Sequence, residues 1–195
     1  MKTSRWFAGT LVGLVLIIGT YWATKTAFEN RHHQEYSTHI SNALTDVKMA
    51  DQGIRDLQPR WGELSQLEIS NALLQVASSL KAAEVEADGL QGYLMYHDDT
   101  NFGPSPSFLS DLFMNYREAV ESRLRETWNL NKEDAKWSVL QQDISTMEKD
   151  LHHLAEADPS KMQNAKLSEL RQYWSSYTAD LKFQEVKKRY DEKHP

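Results

Sequence analysis

Seven histidines are the side chains with the widest chemical reach in this sequence, because imidazole is the commonest transition-metal ligand. Two of them close acid-x-x-His spacings, Glu29-x-x-His32 and Asp150-x-x-His153. Di-metal helical bundles use two such motifs, together with two further carboxylates, all directed into one core. Here Leu151 and Leu154 form an apolar seam that places Asp150-x-x-His153 towards water. The same register sets the i,i+4 pair Glu148 and His152 on a solvated face. The expectation is solvated histidines, with no metal and no cofactor.

Asp98-Asp99-Thr100-Asn101-Phe102-Gly103 has the alternating oxygen donors of a calcium loop, which needs a closing Glu at its twelfth position. Counting from Asp98 or Asp99 reaches Leu109 or Ser110, so the loop does not close. A helix-entry loop with acids near an N-terminus fits better. The sequence has no Gly-rich phosphate cradle, nucleophile elbow or His-Glu-x-x-His pair, so the chain is read as not an enzyme. With no cysteine there is neither a thiol nucleophile nor a disulfide, which suits an oxidising compartment.

The elements that would position these residues are helices. Gly and Pro number only 8 and 5, and between the breaks at Pro59, Pro104/Pro106 and Pro159 the apolar residues recur every three or four positions. The spacing predicts an all-α fold, an antiparallel bundle of about five long helices over 25–57, 60–96, 107–129, 132–157 and 159–191. The seams are Tyr36, Ile40, Ala43, Val47, Ala50, Ile54, Leu57; then Leu73, Val76, Leu80, Ala83, Ala87, Leu90, Leu94; then Leu109, Leu112, Tyr116, Ala119 or Val120, and Leu124. The fourth, Trp137, Leu140, Ile144, Met147, Leu151, Leu154, has a clean heptad spacing, and the last carries Leu167, Leu170, Trp174, Tyr177 and Leu181. Alanines at 43, 50, 83 and 87 predict that the first two helices approach closely. Ser107 and Asn131 are expected N-caps, the latter followed by Glu133 and Asp134 in the first turn.

Trp6 to Thr24 carries no charge. At ~1.5 Å per residue it reaches ~28 Å, close to the ~30 Å hydrocarbon core of a bilayer. Trp6, Phe7, Tyr21 and Trp22 mark its ends, where amphipathic rings favour the headgroup level. The stretch exceeds the apolar region of a cleaved signal and lacks a good small-x-small site. The expected layout is a cytoplasmic leader over 1–5, a transmembrane anchor over 6–24 continuing into the bundle, and an extracytoplasmic domain over 25–195. Lys2 and Arg5 before the span tie with Lys25 and Arg31 after it; the short basic leader favours a signal anchor with a cytoplasmic N-terminus. Gly9 and Gly13 form a small-xxx-small pair through which two anchors could pack as a homodimer.

Beyond the anchor, 20 basic residues stand against 28 acids, a balance of −8 that disfavours nucleic acid. If the first helix leaves the bilayer, the second returns to it, which brings the loop His97 to Pro106, with Asp98, Asp99 and Phe102, near lipid or another membrane protein. An anchor with an exported helical bundle resembles the sensing domains of bacterial chemoreceptors, in architecture alone. Such receptors cross the membrane a second time, whereas this sequence stops at His194-Pro195. The favoured expectation is therefore a single-pass envelope protein whose bundle is a protein-interaction or scaffolding module. Its partner would be another membrane or envelope protein, met through Phe183, Val186 and Tyr190 left uncovered on the last helix. The alternative is a sensory or ligand-binding bundle relaying through a partner's span.

Overall fold

The computed structural model describes the backbone of residues 3–96, 107–157, 159–164 and 167–194. Their side chains are described except at 3–18, 29, 30, 32, 33, 93–96, 159, 164, 167, 168, 170 and 171. Helices run over Thr3–Leu57 (α1), Gln66–Tyr96 (α2), Phe108–Asn129 (α3), Ala135–Ala155 (α4), Pro159–Asn164 (α5), Leu167–Ala179 (α6) and Gln184–Lys193 (α7). No strand occurs among the described residues, so the fold is all-α.

The chain divides into two units, Met1–Tyr36 and Ser37–Pro195. In the first, Tyr21, Trp22 and Phe28 are exposed, and Lys25 Nζ lies 5.7 Å from the centre of the Trp22 ring. Among the described residues no helix is long and apolar enough to cross a membrane. The side chains of Trp6 to Ile18, most of the expected anchor with Gly9 and Gly13, lie outside those described.

In the second unit the cross-links between helices fix an up-down-up-down order. His39 Nδ1 and Asn42 Nδ2 meet Glu86 at 2.7 and 3.2 Å, and further along Gly53 faces Val76, which together set α2 antiparallel to α1. Ser70 Oγ and Thr127 Oγ1 share a buried hydrogen bond of 2.7 Å, and Arg117 Nε donates to Glu84 at 2.8 Å, which makes α3 antiparallel to α2. Tyr116 bonds Asp150 and Arg123 bonds Asp143, so α4 reverses again. The circle closes where α4 meets α1: His152 Nδ1 lies 3.1 Å from Asp51 Oδ2, and the Trp61 and Trp137 rings are 5.6 Å apart. The seam residues from Ile40 to Leu154 whose side chains are described are buried.

Two helix starts differ from expectation. Pro59 sits in a short 3-10 turn, Gln58–Arg60, and α2 begins only at Gln66. Ser65 sets that start: its hydroxyl accepts from Glu68 N at 3.2 Å, and the Glu68 carboxylate accepts from Ser65 N at 2.7 Å, a reciprocal capping box. For α4 the cap is Asp134, not Asn131; the Asp134 carboxylate reaches back to accept from Asn131 N at 2.9 Å. Ser107 precedes α3 as expected.

The expected fifth helix over 159–191 is interrupted between Ala179 and Gln184. Its apolar spacing explains why. Trp174, Tyr177 and Leu181 share one stripe, but the next apolar residues, Phe183, Val186 and Tyr190, follow Leu181 out of register, where a continuous helix would instead bury Glu185 and Lys188. The chain therefore leaves helical geometry after Ala179, with Phe183 extended (φ −78°, ψ 100°), and re-enters it rotated. Lys187 Nζ then donates to the carbonyl groups of Thr178 and Ala179, which end α6. That places a cation at the negative pole of the helix.

Close approach of α1 and α2 rests on glycine as much as alanine. A Cβ on Gly53 would stand 3.0 Å from Val76 Cγ2, whereas one on Gly92, in α2, meets nothing within 4 Å. Gly92→Ala is expected to stabilise the fold by about 0.5–1 kcal/mol through helix propensity. Gly53→Leu should destabilise it by about 1–3 kcal/mol through overpacking against the rigid Val76. Urea unfolding of the two variants measures both.

Candidate functional site

Helix α4 carries two polar groupings that the apolar seam hides. The first centres on Asp150. It follows Met147 by three positions and precedes Leu154 by four, so it lies on the buried stripe and is 4% exposed. The expectation that Asp150 faces water is corrected. Tyr116 Oη donates to Asp150 Oδ2 at 2.7 Å, the Lys182 N–H to Oδ1 at 2.8 Å and the Phe183 N–H to Oδ2 at 2.9 Å. Tyr177 Oη donates to the Asp150 carbonyl at 2.9 Å. The two peptide donors are free for this work because α6 has ended and α7 has not begun.

A carboxylate held by two peptide N–H groups and a phenol is a structural anchor rather than a base waiting for a substrate proton. Burial pushes the Tyr116 and Tyr177 hydroxyls well above their ordinary value of 10.0, and the Asp150 charge adds to the effect. Both phenols stay protonated at neutral pH and donate to Asp150.

The second grouping joins α4 to α1. Asp51, Glu148 and His152 each offer a ligand atom, all within 4.8 Å of one another. The Asp51 side chain is 5% exposed and that of His152 36%. His152 presents Nδ1 to Asp51 Oδ2 at 3.1 Å and Nε2 to Glu156 Oε1 at 3.3 Å. Asp51 Oδ1 is buried and has no hydrogen-bond partner among the described residues. Arg55 Nη1 approaches Asp51 Oδ2 at 3.8 Å from a half-exposed position. Asp51 follows Val47 by four and precedes Ile54 by three, a spacing that marks it as inward-facing in the sequence itself. The expectation that Glu148 and His152 lie on a solvated face is corrected in part, since both are partly covered and partly exposed. His153 is exposed, with its ring 5.6 Å from that of Tyr177.

The last helix is where the expected partner surface fails. Phe183, Val186 and Tyr190 are buried, at 5%, 0% and 7% exposure. They are pinned by a ladder of ion pairs between antiparallel α7 and α3: Glu185 with Arg123 at 2.9 Å, Arg189 with Glu118 at 3.2 Å, and Lys193 with Asp111 at 2.5 Å. Arg123 also lies 5.7 Å from the Phe183 ring. These three side chains are core, not interface. Phe102, Asp98 and Asp99 lie outside the described residues, and so does the Glu29-x-x-His32 motif at its side chains.

Large apolar side chains are exposed elsewhere. Leu67 is 69% exposed, Leu74 54% and Trp128 68%. Gln66 Nε2 donates to the carbonyl groups of Thr127 and Leu130, which brings the start of α2 and the end of α3, and with them Leu67 and Trp128, to one end of the bundle. No family model matches the chain, nor does any curated protein or solved structure.

Asp150→Ala strands a buried phenol and two peptide N–H groups, each worth about 1–3 kcal/mol when unsatisfied. The expected loss is about 3–5 kcal/mol of unfolding free energy in urea, with Asp150→Asn intermediate because its amide oxygen still accepts.

Acid should loosen the structure at a second point. Burial raises the Asp111 and Glu84 carboxyls, but Lys193 and Ser107 on the first, and Lys81 and Arg117 on the second, hold them below their ordinary 3.8 and 4.5. Groups depressed in the folded state stabilise it fully above their unfolded values and lose that contribution as pH falls through the folded ones. Unfolding free energy is therefore expected to decline below about pH 4.5, and Asp111→Asn to flatten that decline in an acid titration followed by circular dichroism.

Proposed function

We propose that this protein is held once in the membrane by Trp6 to Thr24 and uses its helical bundle to bind another envelope protein. One observation carries the binding role: the exposed trio of Leu67, Leu74 and Trp128 on α2 and α3. Leu74 lies two turns beyond Leu67 and so on the same face of α2. Trp is the residue type most enriched where partners bind tightly, and clustered apolar groups in water are retained where something covers them.

The anchor draws on the uncharged sequence stretch and on Tyr21 and Trp22, exposed amphipathic rings at its end. Lys2 and Arg5 favour a cytoplasmic N-terminus, which exports the bundle, and Gly9 and Gly13 suit a paired anchor. The acid excess points to a protein partner rather than nucleic acid. A second reading, a sensory bundle relaying through a partner's span, is favoured by the half-buried cluster of Asp51, Glu148 and His152.

Because the chain has no cysteine, a single cysteine at exposed Ser176 reports sidedness. A membrane-impermeant maleimide should label it in cells with only the outer barrier opened; labelling confined to lysed cells would refute export. Photo-crosslinkers at Leu67, Leu74 and Trp128 should yield one common adduct, absent at Asp180. That adduct should vanish from position 74 when Leu67→Ser and Trp128→Ser are combined. Equal capture from all positions, Asp180 included, sinks the binding role.

A further inference from the structure

We propose that Asp51, Glu148 and His152 form a binding site for one divalent first-row transition ion, zinc foremost, clasping α1 to α4. The three ligand atoms already stand within 4.8 Å of one another. Around a tetrahedral ion with bonds of ~2.1 Å, ligand atoms are separated by about 3.4 Å, so rotamer adjustment by the half-exposed Glu148 and His152 closes the set. His152 Nδ1 and Asp51 Oδ2, at 3.1 Å, are already at the spacing of two ligands on one ion.

Three features besides proximity point to a cation. Asp51 Oδ1 is buried without a partner, an anionic oxygen facing no donor among the described residues. The imidazole has a carboxylate before each nitrogen, Asp51 at Nδ1 and Glu156 at Nε2. It can serve both only with two protons, or with a metal on Nδ1 and one proton on Nε2. The latter is the arrangement of metal-bound histidines, whose remaining N–H donates to a carboxylate outside the ligand set. Finally, the charges match: Asp51, Glu148 and Glu156 against Arg55 leave two negative charges for a divalent ion.

The nitrogen ligand selects the class of ion. Magnesium and calcium prefer six or more oxygens, whereas an imidazole with two carboxylates suits zinc, manganese or cobalt. Three protein ligands leave a further position for water or for a group on a partner. Because Asp51 and His152 are far apart in sequence, the ion would close a long loop and stabilise the bundle.

The test uses the full-length chain in detergent, stripped of metal. Titration should show one zinc per chain, a higher Tm, and visible Co2+ bands of low-symmetry coordination, while Mg2+ at the same concentration does nothing. His152→Ala and Glu148→Gln should each weaken zinc binding by at least about tenfold, the scale commanded even by residues outside the ligand set. His153→Ala, at an exposed neighbour, should leave it unchanged. Glu148→Gln alters a partly exposed side chain, so it stays informative if His152→Ala fails to fold. Unaltered Co2+ bands and zinc affinity in Glu148→Gln, or no Tm shift at one equivalent of zinc in the parent chain, overturn the site and assign any binding to the other histidines.

Discussion

The last third of the chain depends on one buried carboxylate. Among the described residues no cation pairs with Asp150, and its carboxylate is held by a phenol from α3 and two peptide N–H groups from the turn between α6 and α7. The donors come from two separate parts of the fold, and each part must be in place for its donors to be available. Tyr116 must stand on the inner stripe of α3, α6 must end at Ala179, and the chain must turn extended before Gln184. A charge buried at this depth is strongly unfavourable if left bare. Alternatives in which the last segment continues as one helix would withdraw both peptide donors into the helical ladder. The carboxylate thus selects the broken form, in agreement with the slip in apolar register between Leu181 and Phe183.

The four-helix circle relies on a similar division of labour. Apolar stripes supply the bulk of the attraction but say little about rotation or sliding. Polar links across each neighbouring pair set the register: Glu86 between α1 and α2, Ser70 with Thr127 between α2 and α3, Asp143 between α3 and α4, and Asp51 between α4 and α1. Small residues then decide how close the helices come. Gly53 against Val76 is the tightest of these approaches with a stiff neighbour, since a β-branched side chain cannot rotate aside.

Much of this was legible in the sequence. The seams of the first four helices follow directly from spacing, because an apolar residue every three or four positions has one low-energy use in water. The break after Ala179 was also written there, as a change of stripe rather than as a glycine or proline. So was the start of α2, in Ser65-Gln66-Leu67-Glu68, a capping sequence overshadowed by the nearby Pro59. Asp51 and Asp150 fall at inward spacings too, but residue type argued against register: aspartate is read as solvated until a partner is known, and its partners come from elements distant in sequence. Which residues cover Phe183, Val186 and Tyr190 likewise depends on α7 folding back along α3. That docking follows from paired charges on two helices, Glu185, Arg189 and Lys193 opposite Arg123, Glu118 and Asp111, a pattern visible only once the two are laid side by side.

Those paired charges give α7 a character unlike that of the other helices. Ten residues are too few to persist as a helix in isolation, so its order is borrowed from the surface beneath it. Three rungs of that hold are electrostatic and partly open to solvent, and mobile counter-ions weaken them over distances of about 10 Å at moderate ionic strength. The end of the chain is therefore a strap fastened by paired charges as well as by shape. In concentrated brine it should peel before the bundle melts, uncovering an aromatic strip that dilute buffer keeps shut.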